Sequence, residues 1–123
     1  DFRDFVLTRI ADARLISGAV KEHETADQDI QWNRVAEIEL VPHPANVQHP
    51  DTIEAEYGME SGVLRMRVRA AMAGYLMRRW NVDCTEDHSL NGAEFHLWLR
   101  NRQALYGVTN LVLAPGYESQ EKT

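Results

Sequence analysis

Between Val63 and Ala70 the chain reads Val-Leu-Arg-Met-Arg-Val-Arg-Ala, and this unbroken alternation constrains the fold more than any other stretch. Successive side chains of an extended strand point to opposite faces, so Leu64, Met66, Val68 and Ala70 share one side while Arg65, Arg67 and Arg69 share the other. A one-residue slip would turn the arginines into the core, which fixes the register against any partner strand. A helix competes for the same residues, because Leu64, Val68, Ala71, Met72 and Tyr75 share a face at 3.6 residues per turn. The alternation predicts a strand over 63–70. The alanine-rich continuation to Trp80 suits a helix, and the sequence leaves open where one gives way to the other.

Other stretches follow the same logic. Trp32 to Val41 alternates Trp32, Ala36, Ile38 and Leu40 with Glu37 and Glu39, and Pro42 stops it, which predicts a second strand. Ile53, Ala55 and Tyr57 alternate with Glu54 and Glu56 and predict a third, and Phe95, Leu97 and Leu99 predict a fourth. Phe2, Phe5, Val6 and Ile10 predict a short helix over 2–10, and 12–21 reads as a further strand. The segments 22–29 and 81–93 read as loops, the second marked by Asn91-Gly92, and His43-Pro44 and His49-Pro50 sit in an extended loop. A single domain over 1–116 with a frayed tail over 117–123 is expected.

The arginine row and the glutamate rows are complementary in sign. Glu37 and Glu39 on one strand, Glu54 and Glu56 on another, and Arg65, Arg67 and Arg69 on a third predict cross-strand ion pairs worth roughly 0.2–1 kcal/mol each. The expected fold is therefore α+β: an antiparallel meander of about four strands with one or two short helices. So little helical sequence remains that the apolar face of this sheet should need a second polypeptide to cover it. That expectation places a partner surface, or else plain core, on Trp32, Leu64, Met66, Val68, Trp80, Leu97, Trp98 and Leu99, the partner being a second copy or another polypeptide held in an apolar groove.

Charge narrows the function classes. Residues 1–60 hold five basic and thirteen acidic groups, while 61–110 hold seven and four, within a net charge of −6. The arginines thus have acidic partners in the same chain, and nucleic acid is disfavoured as a partner because phosphate binding rests on net basic surfaces. A competing reading arrays Arg65, Arg67, Arg69, Arg78, Arg79, Arg100 and Arg102 with Tyr75, Trp80 and Trp98 for single-stranded nucleic acid. No apolar run reaches the roughly 18 residues of a membrane span. The amino end has no signal-peptide order, the first residue is not Met, and the single Cys84 cannot form an internal disulfide, so a reducing cytoplasm is expected.

Catalytic and metal readings are thin. Cys84 and His88 with His43 and His49 have ligand types that suit zinc, yet no Cys-x-x-Cys or His-Glu-x-x-His element joins them. Cys84 with His88 or His96 makes a nucleophile–base pair by type alone. Glu54 and Glu56 would stand ~6.6 Å apart on a strand, a separation that glycoside hydrolysis uses and solvated strands show everywhere. Walker, dinucleotide and nucleophile-elbow patterns are missing, and no cofactor is expected.

Three segments resemble the SecB family of export chaperones. Trp32-Asn-Arg-Val-Ala-Glu-Ile-Glu-Leu40 is similar to that family's second strand, with Arg9-Ile10 upstream of it; Val63 to Ala70 resembles its third, and Phe95 to Tyr106 its fourth. The chain departs from that family in a long 41–62, an insertion-like 71–93 and the lack of a long carboxy-terminal helix before Leu113-Ala-Pro. The resemblance implies an acidic, ATP-independent chaperone that holds unfolded chains in an apolar groove. A protein-binding role without catalysis is the resulting expectation.

Overall fold

The computed structural model describes residues 2–117. Its regular elements are α1 (Ile30–Asn33), β1 (Val35–Pro42), α2 (Pro50–Tyr57), β2 (Leu64–Arg69), α3 (Ala70–Arg79), β3 (Val82–Asp83) and β4 (Leu97–Leu99), joined by single 3-10 turns. The expected fold class holds: the domain is α+β, with four strands in one sheet ordered β2-β1-β4-β3. The sheet is mixed. β1 runs antiparallel to both β2 and β4, whereas β3 runs parallel to β4, pairing Val82 with Leu97.

The alternation of β2 fixes its register against β1. Val68 stands opposite Ala36, Met66 opposite Ile38 and Leu64 opposite Leu40 on the apolar face, and Arg67 and Arg65 stand opposite Glu37 and Glu39 on the other. The chain then enters α3 directly. Arg69 keeps extended backbone (φ −68°, ψ 137°) and Ala70 N–H donates to Arg34 O at 2.8 Å, so strand and helix share one peptide as their boundary. Ala70, Ala73, Gly74 and Met77, at helical spacing, turn inward. They pack on Ile38, Leu40, Leu97 and Leu99, which are sealed from solvent.

The carboxy-terminal segment completes the roof, with Leu105, Leu111, Ala114 and Tyr117 joining the same core. Asn110 fastens it to α3: its Nδ2 donates to Ala71 O at 2.6 Å and its Oδ1 accepts from Gly74 N–H at 3.2 Å. The expected shortage of cover over the sheet is therefore corrected. Irregular chain with apolar residues, here 102–117, shelters a sheet face as well as regular helix does.

Four further expectations change. Residues 53–57, expected as a strand, form α2, because Pro50 opens the helix and Gly58 ends it in left-handed conformation (φ +64°). Ile53 is buried and Tyr57 half-buried while Ala55 is exposed, which is the i, i+4 spacing of a helix. Trp32 belongs to the short α1, not to the strand that follows. Segments 2–10 and 12–21, expected as helix and strand, are extended, exposed chain with one 3-10 turn at Leu7–Arg9. The segment 81–93 contains β3. The frayed tail expected over 117–123 lies, except for the buried Tyr117, outside the described residues.

Candidate functional site

β2 is an edge strand, with β1 beside it on one side only. Leu64, Met66 and Val68 therefore stay half-buried on a face whose neighbours Ala36, Ile38 and Leu40 are closed. The outer side of α3 adds Met72 (49% exposed), Tyr75 (39%) and half-buried Leu76. Met66, Val68, Met72, Tyr75 and Leu76 line an open apolar groove of about 790 Å³ between β2 and α3. Arg69, Arg78 and Arg79 stand along its rim. Arg69 is held there, its guanidinium 4.5 Å above the Trp32 ring and its Nη1 donating to Trp32 O at 2.7 Å.

The polar face of the sheet carries ion pairs centred on Glu39. Arg100 donates to Glu39 Oε1 from Nη2 at 2.8 Å and from Nε at 3.1 Å, and Arg65 Nε lies 3.5 Å from Oε2. The hydrogen bond from Arg100 is the main cause holding the Glu39 carboxyl below the usual carboxylate range, and the nearby charges of Arg100 and Arg65 add to it. Glu37 stands opposite Arg67 in the register. Glu54 and Glu56 lie on α2 and not on a strand of the sheet, so the second expected glutamate row, and with it the paired-carboxylate reading, is corrected.

Behind the sheet lies a buried polar cluster. His43 and Asp83 are sealed from solvent with Nε2 and Oδ2 2.7 Å apart. His43 Nδ1 accepts from the backbone N–H of Ala45 and of Asn46, which places its proton on Nε2, toward Asp83. Asp83 also accepts from Thr85 N–H, Thr85 Oγ1–H and Leu90 N–H, so its charge is met by hydrogen bonds on all sides. His88 packs edge-on against Trp98 and His43. The Trp98 indole N–H donates to Thr85 O at 2.8 Å. The cluster ties the 41–46 turn, β3 and the 85–90 loop into one unit.

These contacts settle where the remaining candidate residues lie. Cys84 is buried and its thiol is pushed up, first by that burial, so it offers no reactive thiolate. Among the described residues no three His, Cys, Asp or Glu side chains converge as metal ligands, so His43, His49, Cys84 and His88 do not assemble. His49 is exposed at the start of α2. Arg102 is turned inward, 4.1 Å over the Tyr117 ring and bonded to Cys84 O and Tyr117 O. The arginines and aromatic residues expected to act together are thus divided between the groove rim, the Glu39 cluster and the core. Of the expected partner-binding residues, Leu97 and Leu99 are core, and Trp98 and Trp80 are half-buried, with Trp80 against Tyr57. Leu64, Met66 and Val68 border open space, and Trp32 backs the rim. Met72, Tyr75 and Leu76 were missed, although the helical face shared by Met72 and Tyr75 signalled two of them.

An apolar, cation-rimmed groove thus runs along the edge strand of the sheet. Residues 35–105 match the family described as the C-terminal dimerization domain of the BrxR transcriptional regulator. The match covers more than half of the chain, and the chain belongs to this family. Its relatives include proteins named DNA-binding transcriptional repressor CapW. The one from Escherichia coli (strain KTE188) is 31% identical over 109 residues, spanning 88% of this chain and 35% of the relative. That from Pseudomonas aeruginosa is 32% identical over 106 residues, 85% and 34%. That from Stenotrophomonas maltophilia is 28% identical over 109, 80% and 36%. The chain therefore spans about a third of the length of the curated relatives it matches.

The SecB resemblance and the chaperone role drawn from it are corrected by this family match. Its three segments carried only the apolar–charged alternation that any half-solvated strand shows, and Phe95 to Tyr106 holds just three strand residues. The relatives are named as DNA-binding, a property of proteins of which this chain spans about a third. Self-association agrees with the family's description as a dimerization domain. No helix among the described residues is long and apolar enough to cross a membrane.

Proposed function

We propose that this chain is the self-association module of a transcriptional repressor, and that two copies meet through the β2–α3 groove. The carrying observation is the row Met66, Val68, Met72 and Tyr75, which continues the core to the sheet edge and is left open by its own chain. Closing it against a second copy extends one core across two protomers, the usual construction of a two-fold interface. The reading gives DNA contact to parts of the repressor beyond this domain, because the domain is acidic (net −6) and its strand arginines Arg65 and Arg69 are engaged within it. Pairing two copies then raises the effective concentration of the second DNA-binding part and sets the spacing of half-sites. A repressor so built works where the chromosome is, in the cytoplasm.

Sedimentation equilibrium of the chain tests this. The chain sediments as a dimer, and Met72→Glu, which sets a carboxylate in the seam, weakens that dimer by at least about tenfold. Met72 is half exposed, so the variant still folds; an unshifted dimer constant removes the groove from the interface.

A further inference from the structure

We infer that the seam between two copies holds a phosphate-type oxyanion, bound by Arg78 and Arg79 of both, an inference that rests on the dimer reading above and gives that site an effector. In a two-fold pairing one patch meets its own image, so the residues that line one groove are the residues that fill the other. Here the patch is Met66, Val68, Met72, Tyr75 and Leu76 with Arg69, Arg78 and Arg79, and no aspartate or glutamate lines it. Three guanidinium groups from each copy, six in all, are thus gathered in one seam whose lining offers them no carboxylate.

The six are not alike. Arg69 is fixed over the Trp32 ring and bonded to its carbonyl, so its donors are partly occupied. Arg78 and Arg79 are exposed at the end of α3, and among the described residues neither makes a hydrogen bond or an ion pair. The negative end of the helix favours a cation there in a single copy, but that attraction does not offset four such groups brought together in a seam that loses water. Like charges repel across an interface, and a guanidinium stripped of water without an acceptor is costly.

An oxyanion answers both problems. The planar guanidinium fork matches two oxygens of a phosphate, and four of them supply donors for a doubly charged group, whereas chloride has neither the charge nor the geometry. The apolar floor beside the arginines lowers the local dielectric and strengthens the pairing. The group recognised is the phosphate itself, free or carried as a monoester. Because its site exists only when both copies are present, anion and dimer favour each other by the same factor.

Sedimentation equilibrium of the full chain at one fixed ionic strength tests this. Part of the chloride is replaced by a few millimolar inorganic phosphate or, separately, glycerol phosphate, too little for general exclusion of phosphate from the surface to act. Phosphate tightens the dimer constant by at least about fivefold. Arg78→Gln with Arg79→Gln, at exposed sites where glutamine keeps helix propensity, dimerises in chloride at least as tightly as the parent and no longer responds. A response to inorganic phosphate names the free ion as a source, and one to the ester alone names a carried phosphate. Three results overturn the inference and leave the dimer reading to Met72→Glu: a parent indifferent to both anions, a double variant that still responds, or a double variant several-fold weaker in chloride, which would assign the arginines to carboxylates of the second copy. If Met72→Glu leaves the dimer constant unshifted, the groove is not the seam and both readings fall.

Discussion

Glu39 shows how one side chain acts on three elements. It sits on β1, takes two hydrogen bonds from Arg100 after β4 and one ion pair from Arg65 on β2, so its charge pins both neighbours of the central strand in register. The same contacts hold its carboxyl below the ordinary value of 4.5. A depressed folded-state value means that the stabilisation is present above the unfolded value and is lost as pH falls through the folded one. Glu39→Gln should therefore lower the urea midpoint at neutral pH, and the gap to the parent should narrow steadily below pH 4.5 as the parent loses the same charge. A gap that is constant with pH would assign the effect to packing. The cross-strand pairing of Glu39 was legible from sequence, since it needs only alternation and sign. Its second cation, Arg100, was not, because nothing local relates residue 39 to residue 100.

At the scale of elements, legibility followed the length of the repeat. β1 and β2, with eight and six residues, announce themselves by period two, whereas β3 has two residues and no period to read. α2 was misread because the pair Ile53 and Tyr57, four residues apart, fits both periods; its proline and glycine caps carried the deciding signal. α3 hides another feature that sequence cannot supply. Glycine inside a helix ordinarily costs about 1 kcal/mol relative to alanine. At Gly74 the balance reverses, since a β-carbon there would run into the backbone oxygen of Asn110, whose side chain already holds the helix at Ala71 and Gly74. Gly74→Ala should destabilise the domain by about 1–3 kcal/mol, the cost of forcing packed backbones apart. Chemical denaturation measures it, and a stabilised variant would show that the 110 loop yields freely.

For the whole molecule the question is why association through β2 stops at a closed pair. An edge strand presents unpaired backbone groups and invites an identical strand to add to the sheet. In every antiparallel self-pairing of β2 that keeps Leu64, Met66 and Val68 on one face, the opposite face sets arginine against arginine: in the fully overlapping register residue 67 meets its own copy and 65 meets 69, and shifted registers set 65 against 67, 67 against 69, or 65 or 69 against its own copy. Like charges directly opposed are destabilising, so the strand's polar row guards its own edge while its apolar row remains available to the groove. Arg69 is engaged by Trp32 and Arg65 by Glu39, which leaves Arg67, opposite Glu37, as the guard without a hydrogen bond among the described residues and makes it the residue to change. Arg67→Thr keeps strand propensity, removes the central repulsion and should let dimers add edge to edge. Light scattering should then report a mass that climbs with protein concentration, whereas the parent levels off at the dimer. High salt should mimic the substitution weakly in the parent by screening the same charges. A variant that levels off at the dimer would mean that chain covering the edge, and not the arginine row, keeps it closed.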